Sequence, residues 1–152
     1  MTQPDLTMNP YDEVRAQLGR QKWAVDSRDA DALSGIYTRD CTLILKEAGE
    51  RELARQSGRD KIIGFIKQGW AANTDWKPGS MIHHIGTELI EPAEGGMIRC
   101  RSYALYVHLV ESGATEIHGY GKYHDLWSLE DGAWRLHLRE VHLHGMKLPT
   151  RD

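Results

Sequence analysis

Two histidines, His83 and His84, stand side by side in the run Met81-Ile82-His83-His84-Ile85-Gly86-Thr87-Glu88-Leu89. The run has β-forming character, and successive strand side chains point to opposite faces. One imidazole therefore faces a pocket or core, and the other faces solvent or a neighbouring layer. If His84 is the inward one, it is the best candidate for a catalytic base. Asp26, at the end of the first helical pattern, is the carboxylate that could orient it. A carboxylate on one ring nitrogen fixes the tautomer and makes the other nitrogen a better base. The alternative for Asp26 is a solvated loop acid beside Arg28.

Other polar residues can be placed on faces in the same way. Ser102, Ala104, Tyr106 and His108 alternate along one strand, so His108 can share a concave face with His84, although sequence does not set the register. Tyr123 shares a face with Gly119, Gly121, Asp125 and Trp127. The two glycines either leave room for a ligand or mark a bulge or bend. Glu140, His142 and His144 also alternate, which admits a metal reading. No HExxH string or cysteine cluster accompanies them, so a polar strand end near a subunit interface is preferred and no metal is expected.

These residues need elements to hold them. Asn9-Pro10 is a helix start, and Val14, Leu18, Gln21 and Val25 recur at helical spacing, predicting a helix over Pro10–Asp26. Asp29 caps a second helix with Ala32, Leu33, Ile36 and Tyr37 as its apolar members, closing at Asp40. Cys41–Leu45 reads as a strand, and Lys46–Gly58 as a loop or poorly formed hairpin. A third helix follows Arg59, with Ile62, Ile63, Ile66 and Trp70 on its buried side, ending at Asn73 and Pro78; Trp70, Trp76 and Trp134 read as packing residues. From Met81 the chain is nearly all strand, broken by Glu94-Gly95-Gly96, Glu111-Ser112-Gly113 and Glu130-Asp131-Gly132. Helices followed by an antiparallel meander give an α+β architecture, a curved sheet closed by helices around a hollow that suits a ligand.

The bulk composition narrows the function classes. The chain has 152 residues, a formal charge of −3 and two isolated cysteines, Cys41 and Cys100. That is one domain, residues 1–152, with an ordinary soluble composition. No basic stripe suggests nucleic acid, and no apolar run approaches a membrane span. The first residues are polar and lack the regions of a signal peptide, so a cytoplasmic protein with reduced thiols is expected.

Several strings resemble the SnoaL-like group of the NTF2-like (cystatin-like α+β) superfamily, with scytalone dehydratase and hexachlorocyclohexane dehydrochlorinase as the nearest likenesses. Val25-Asp26-Ser27-Arg28-Asp29-Ala30-Asp31-Ala32-Leu33 is similar to the helix end that supplies their catalytic aspartate. His84-Ile85-Gly86-Thr87 is similar to the strand with their catalytic histidine, and Arg101–His108 to the strand with a second active-site histidine. Asp131-Gly132-Ala133-Trp134-Arg135 resembles the last hairpin of the superfamily. The resemblance implies an NTF2-like cone and a cofactor-independent elimination. In it His84 is the base, Asp26 orients it, and His108 stabilises charge or donates a proton. The substrate would be a small cyclic or aromatic-precursor molecule.

The positions that carry water-holding tyrosines in scytalone dehydratase are here Val25 and Leu45, and an active-site asparagine is replaced by Tyr123. Val25, Leu45, Tyr106 and Tyr123 are therefore expected to line the substrate. Gln21 lies where the dehydrochlorinase has a lysine, and Arg139 is a replacement cation. The resemblance further implies a homo-oligomer, a trimer over a dimer. It leaves two rival readings, a ketosteroid-isomerase-like or cyclase-like isomerase and a non-catalytic small subunit or ligand-binding module.

Overall fold

The computed structural model describes residues 8–48, 50–72 and 79–145. The expected tail before Met8, the helix stop at Asn73 and Pro78, and the packing role of Trp76 lie outside them. The first helix, α1, spans Pro10–Asp26 as the periodicity predicts. Asn9 caps it: its side-chain oxygen accepts from the backbone N–H of Tyr11 at 3.0 Å and of Asp12 at 3.1 Å. Asp12 and Glu13 in the first turn suit the positive end of the helix dipole. The buried face of α1 is mixed. Val14, Leu18 and Ala24 share it with Gln17, Gln21 and Lys22.

The second helix is shorter than predicted. α2 spans Ala30–Ser34, capped by Asp29, whose carboxylate accepts from Ala32 N–H at 3.0 Å. Ile36 and Tyr37 are not helical. The Ile36 carbonyl accepts from Leu136 N–H at 2.8 Å, and β1 begins at Tyr37 and runs to Glu47. Pairing with a distant strand overrides the local helical spacing here. The charged stretch that follows forms a true hairpin. β2, Arg51–Ser57, pairs antiparallel with β1. Its charged side chains, including Arg55 against Glu52 at 2.9 Å, keep this sheet edge unattractive to other strands.

Helix α3, Arg59–Ala72, buries Ile62 fully and packs Ile63, Phe65, Ile66 and Trp70 against the core. The meander follows as predicted: β3 Met81–Pro92, β4 Ile98–Leu109, β5 Thr115–Glu130 and β6 Ala133–His144. The six strands form one sheet in the order β2-β1-β6-β5-β4-β3. Its one parallel pair, β1 with β6, is made possible by the long meander between them. β3 is an edge strand, and α1 packs along it.

The inner face of the sheet carries the core. Ile98, Cys100, Ala104 and Tyr106 of β4 meet Tyr123 and Trp127 of β5, Leu136 and Val141 of β6, and Val14 and Leu18 of α1. Cys41 and Cys100 are free and buried, and burial pushes both thiols up to about 12.

Among the described residues, one ion pair lies wholly inside. Asp125 and Arg139 face each other across β5 and β6, with side chains 0% and 3% exposed. The guanidinium donates to both carboxylate oxygens, at 2.8 and 2.7 Å, and to the Gln21 side-chain oxygen at 2.8 Å. Gln21 in turn donates to the Tyr37 hydroxyl at 2.9 Å. Burial works against the charge on Arg139, and the attraction of Asp125 outweighs it and holds the group above its ordinary value.

Removing one partner leaves the other charge buried and unpaired, which costs about 3–5 kcal/mol. Arg139→Met is therefore expected to lose that much in urea denaturation. The double change Asp125→Leu/Arg139→Met is expected to recover most of it. A single-variant loss below about 1 kcal/mol would show that the pair does not constrain the fold.

Candidate functional site

Helix α1 supplies two ionisable groups on one face, because Lys22 and Asp26 are four residues apart. Asp26 ends the helix, where the dipole disfavours a carboxylate. Two hydrogen bonds from β3 offset this. The His83 backbone N–H donates to one carboxylate oxygen at 3.0 Å, and His83 Nδ1 lies 2.5 Å from the other. Asp26 thus grips both the backbone and the ring of a single residue. Both side chains are 14% exposed.

The protonation state follows from the surroundings. Burial pushes His83 below its ordinary value, and the hydrogen bond to Asp26 opposes this without overcoming it. Near neutral pH the ring is uncharged. Its Nδ1–H donates to Asp26, which leaves the Nε2 lone pair free. Because the folded value lies below the unfolded one, the unfolded chain takes up this proton first. The stability contribution is full above about pH 6.5 and is lost as pH falls through the lower folded value.

Behind His83 stand two phenols. The Tyr106 ring meets the His83 ring edge-on, with centroids 5.0 Å apart. The hydroxyls of Tyr106 and Tyr123 are 3.2 Å apart. Lys22 Nζ donates to the Tyr123 hydroxyl at 3.0 Å and lies 4.2 Å from the centre of that ring, while Arg139 Cζ lies 4.6 Å from it. Burial raises both phenols, Tyr123 well above its ordinary value. Burial and the neighbouring Arg139 hold Lys22 well below its own, against the opposing pull of Asp125 and Asp26.

A cleft of about 540 Å³ opens along the seam between α1 and β3, lined by Lys22, Trp23, Asp26, Ile82, His83 and His84. A smaller one of about 240 Å³ continues past Leu18, Gly19 and Glu88. Trp23, 79% exposed, forms the lip. The expected ligand site was the hollow of the cone. In the structure Tyr106, Tyr123 and Trp127 fill much of that interior, and the space lies to one side, at the sheet edge.

The expected pairing of Asp26 with His84 is corrected: the partner is His83. Helix α1 covers the face of β3 that carries His83 and Ile85, so alternation turns His84 outward. His84 begins an outer row, His84, Leu105, Tyr120, His144, matched strand by strand. His84 still borders the cleft, but from its exposed side. His108 is not brought to Asp26. A register shift between Tyr106 and Val107 intervenes, and the His108 ring packs against His118 at 6.4 Å. Tyr106 and Tyr123, expected to line the substrate, stand buried behind His83 and Lys22 and are not among the residues lining either part of the cleft. Val25 and Leu45 are partly buried and pack against the core.

Arg139, expected as a replacement cation, is committed to Asp125 and Gln21. Glu140 and His142 are 2.6 Å apart, with Lys46 on the same carboxylate at 2.8 Å and His124 stacked on His142. No three such groups converge to hold a metal among the described residues.

The sequence reading missed His83 and Lys22. Lys22 carried a usable signal, standing one turn from both Leu18 and Asp26 on the apolar stripe. For His83 the signal was faint: Ile85 shares its face, yet Ile82 shares that of His84.

A sequence profile of the SnoaL-like domain matches residues 7–140. Comparison with curated proteins returns no match. Among solved structures, an NTF2-like protein with a cystatin-like fold from Novosphingobium aromaticivorans is 22% identical with a TM-score of 0.68, covering 93% of this chain and 83% of its own. A protein of that organism provisionally described as a scytalone dehydratase is 20% identical with a TM-score of 0.66, covering 87% and 82%. A beta subunit, also from that organism, provisionally described as that of an aromatic-ring-hydroxylating dioxygenase, is 16% identical with a TM-score of 0.72, covering 92% of each chain. At these identities the structural likenesses establish the fold, an α+β NTF2-like cone.

Gly121 tests how tightly the phenols are set. A Cβ there would run into the Tyr106 hydroxyl and stand 3.3 Å from the Tyr123 ring. Gly121→Ala is expected to cost about 1–3 kcal/mol as an overpacked core and to break the phenol–phenol contact. Denaturation and the His83 ring resonances read the two effects. Asp26→Asn is expected to lower the His83 titration midpoint further, since the hydrogen bond to Asp26 raises it.

Proposed function

We propose that this chain, which belongs to the SnoaL-like domain family, is a cofactor-independent lyase whose general base is His83. The observation that carries the reading is the hydrogen bond between Asp26 and a neutral His83 at the floor of a cleft. His83 Nε2 takes a proton from a carbon beside an activating group. The electron pair forms a double bond as a leaving group departs from the next carbon. Asp26 holds the ring in the productive tautomer and stabilises the imidazolium that forms. The imidazolium then returns its proton to a departing hydroxide, so water and an unsaturated product leave. Both proton transfers use side chains of this chain.

Burial supports the base in two ways. It keeps His83 unprotonated at neutral pH, and it strengthens the attraction between Asp26 and the transient imidazolium. The cleft accommodates a small ring. The structural neighbour provisionally described as a scytalone dehydratase is consistent with elimination as the reaction class.

Cyclic hydroxyketones followed by product absorbance provide the test. His83→Ala and Asp26→Asn are expected to lower kcat/KM by at least about a hundredfold. His84→Ala is expected to stay within a few-fold. The acid limb of the pH–rate profile is expected below about pH 6.5, where His83 gains its proton. Full turnover by His83→Ala would remove the proposed base. Solvent deuterium entering the substrate without loss of water would move the reaction from elimination to isomerisation.

A further inference from the structure

We propose that Lys22 is an amine nucleophile and that the cleft takes a ketone or aldehyde, which Lys22 holds as an iminium ion while His83 removes the neighbouring proton. This deepens the proposed function and rests on it for the role of His83. Four features of the site support it. Lys22 borders both parts of the cleft and is otherwise 7% exposed. Its nitrogen is fixed against the Tyr123 hydroxyl at 3.0 Å, and Tyr123 is joined to Tyr106. One turn along α1, Asp26 holds His83, which lines the same cleft. No carboxylate is hydrogen-bonded to Lys22; its one hydrogen bond among those found for the described residues goes to a phenol.

The charged and titratable groups around Lys22 are Arg139 and Asp125 from the sheet, Asp26 on its own helix, His83 on β3, and the two phenols. Burial and Arg139 favour the uncharged amine, which is the nucleophilic form. An ordinary lysine, by contrast, is almost wholly protonated at neutral pH.

The steps balance. The amine lone pair attacks the carbonyl carbon, and the carbonyl oxygen takes the proton that the nitrogen loses. The resulting hydroxyl leaves as water with one further proton, supplied through Tyr123, and an iminium forms. His83 Nε2 removes the proton from the adjacent carbon, and the electron pair flows toward nitrogen to give an enamine. The enamine expels hydroxide from the next carbon, which takes the proton held by His83 and leaves as water. A water molecule then hydrolyses the unsaturated iminium, releasing the unsaturated carbonyl product and the free amine and returning a proton to Tyr123. The iminium supplies the electron sink that removal of a carbon-bound proton requires.

The labelling test of Lys22 needs no natural substrate. The full chain is treated at pH 7 with pentane-2,4-dione, and separately with cyclohexanone and cyanoborohydride, and adducts are located by peptide mass mapping. Lys22 is expected to be modified at least about tenfold faster than any other lysine, as an uncharged buried amine should be. Lys22→Met is expected to abolish that adduct. The comparison among lysines is made within the unaltered protein, so it stands even if the variant fails to fold. Labelling of Lys22 no faster than that of the surface lysines would overturn the proposal. Labelling in His83→Ala separates the two claims: an adduct that persists while turnover is lost supports both, and an adduct with His83→Ala fully active refutes only the base.

Discussion

The grip of the Asp26 carboxylate on His83 is the constraint on which the rest of the site depends. One oxygen accepts from the strand backbone and the other meets the ring. The same two bonds therefore dock the end of α1 on the edge strand and set the tautomer of the imidazole. A helix C-terminus is an unfavourable place for a carboxylate, and β3 makes it tenable by providing two donors. An edge strand is suited to this task, since its outer backbone groups have no strand partner and can bond to a helix end.

Behind this pair the protein places polar groups where a domain of this size would ordinarily place aliphatic ones. Hydrogen bonds join Asp125, Arg139, Gln21 and Tyr37 in one buried set and Lys22, Tyr123 and Tyr106 in another, and the two sets meet where the Arg139 guanidinium lies over the Tyr123 ring. Such a network stabilises only if each member is satisfied. Its geometry meets that need through the bidentate guanidinium and the two-ended amide of Gln21. Gly121 makes room for the phenol of Tyr106, so the glycine that could have signalled an open pocket instead permits a close contact. The result is a polar wall beside the cleft, its guanidinium, amine and phenols placed by one another in advance of any ligand.

The outer face of the sheet follows a different rule. His84, Leu105, Tyr120 and His144 lie in one row, and Tyr120 stacks on His144 at 4.7 Å. His83 and His84 thus belong to separate surfaces although they are neighbours in the chain. One is a partner of α1, and the other is part of a broad aromatic and histidine-bearing surface that includes the stacked His124 and His142.

Local sequence determined much of the scaffold. Asn9-Pro10 started α1 where expected, the glycine-bearing turns marked the meander, and Asp26 and the His83–His84 pair stood out as chemistry-bearing residues because of their types and places. These are short-range signals, set by capping, turn geometry and strand alternation. Alternation could say that the two histidines part ways, but not which one the helix would cover, because that depends on how α1 lies across the sheet. The helix expected through Tyr37 became a strand for the same kind of reason: β6, about a hundred residues later, pairs with it. Lys22 acquired its meaning only in three dimensions. Burial, Arg139 and the phenol of Tyr123 come from distant parts of the chain, and they turn an ordinary helix lysine into a group held well below its usual protonation.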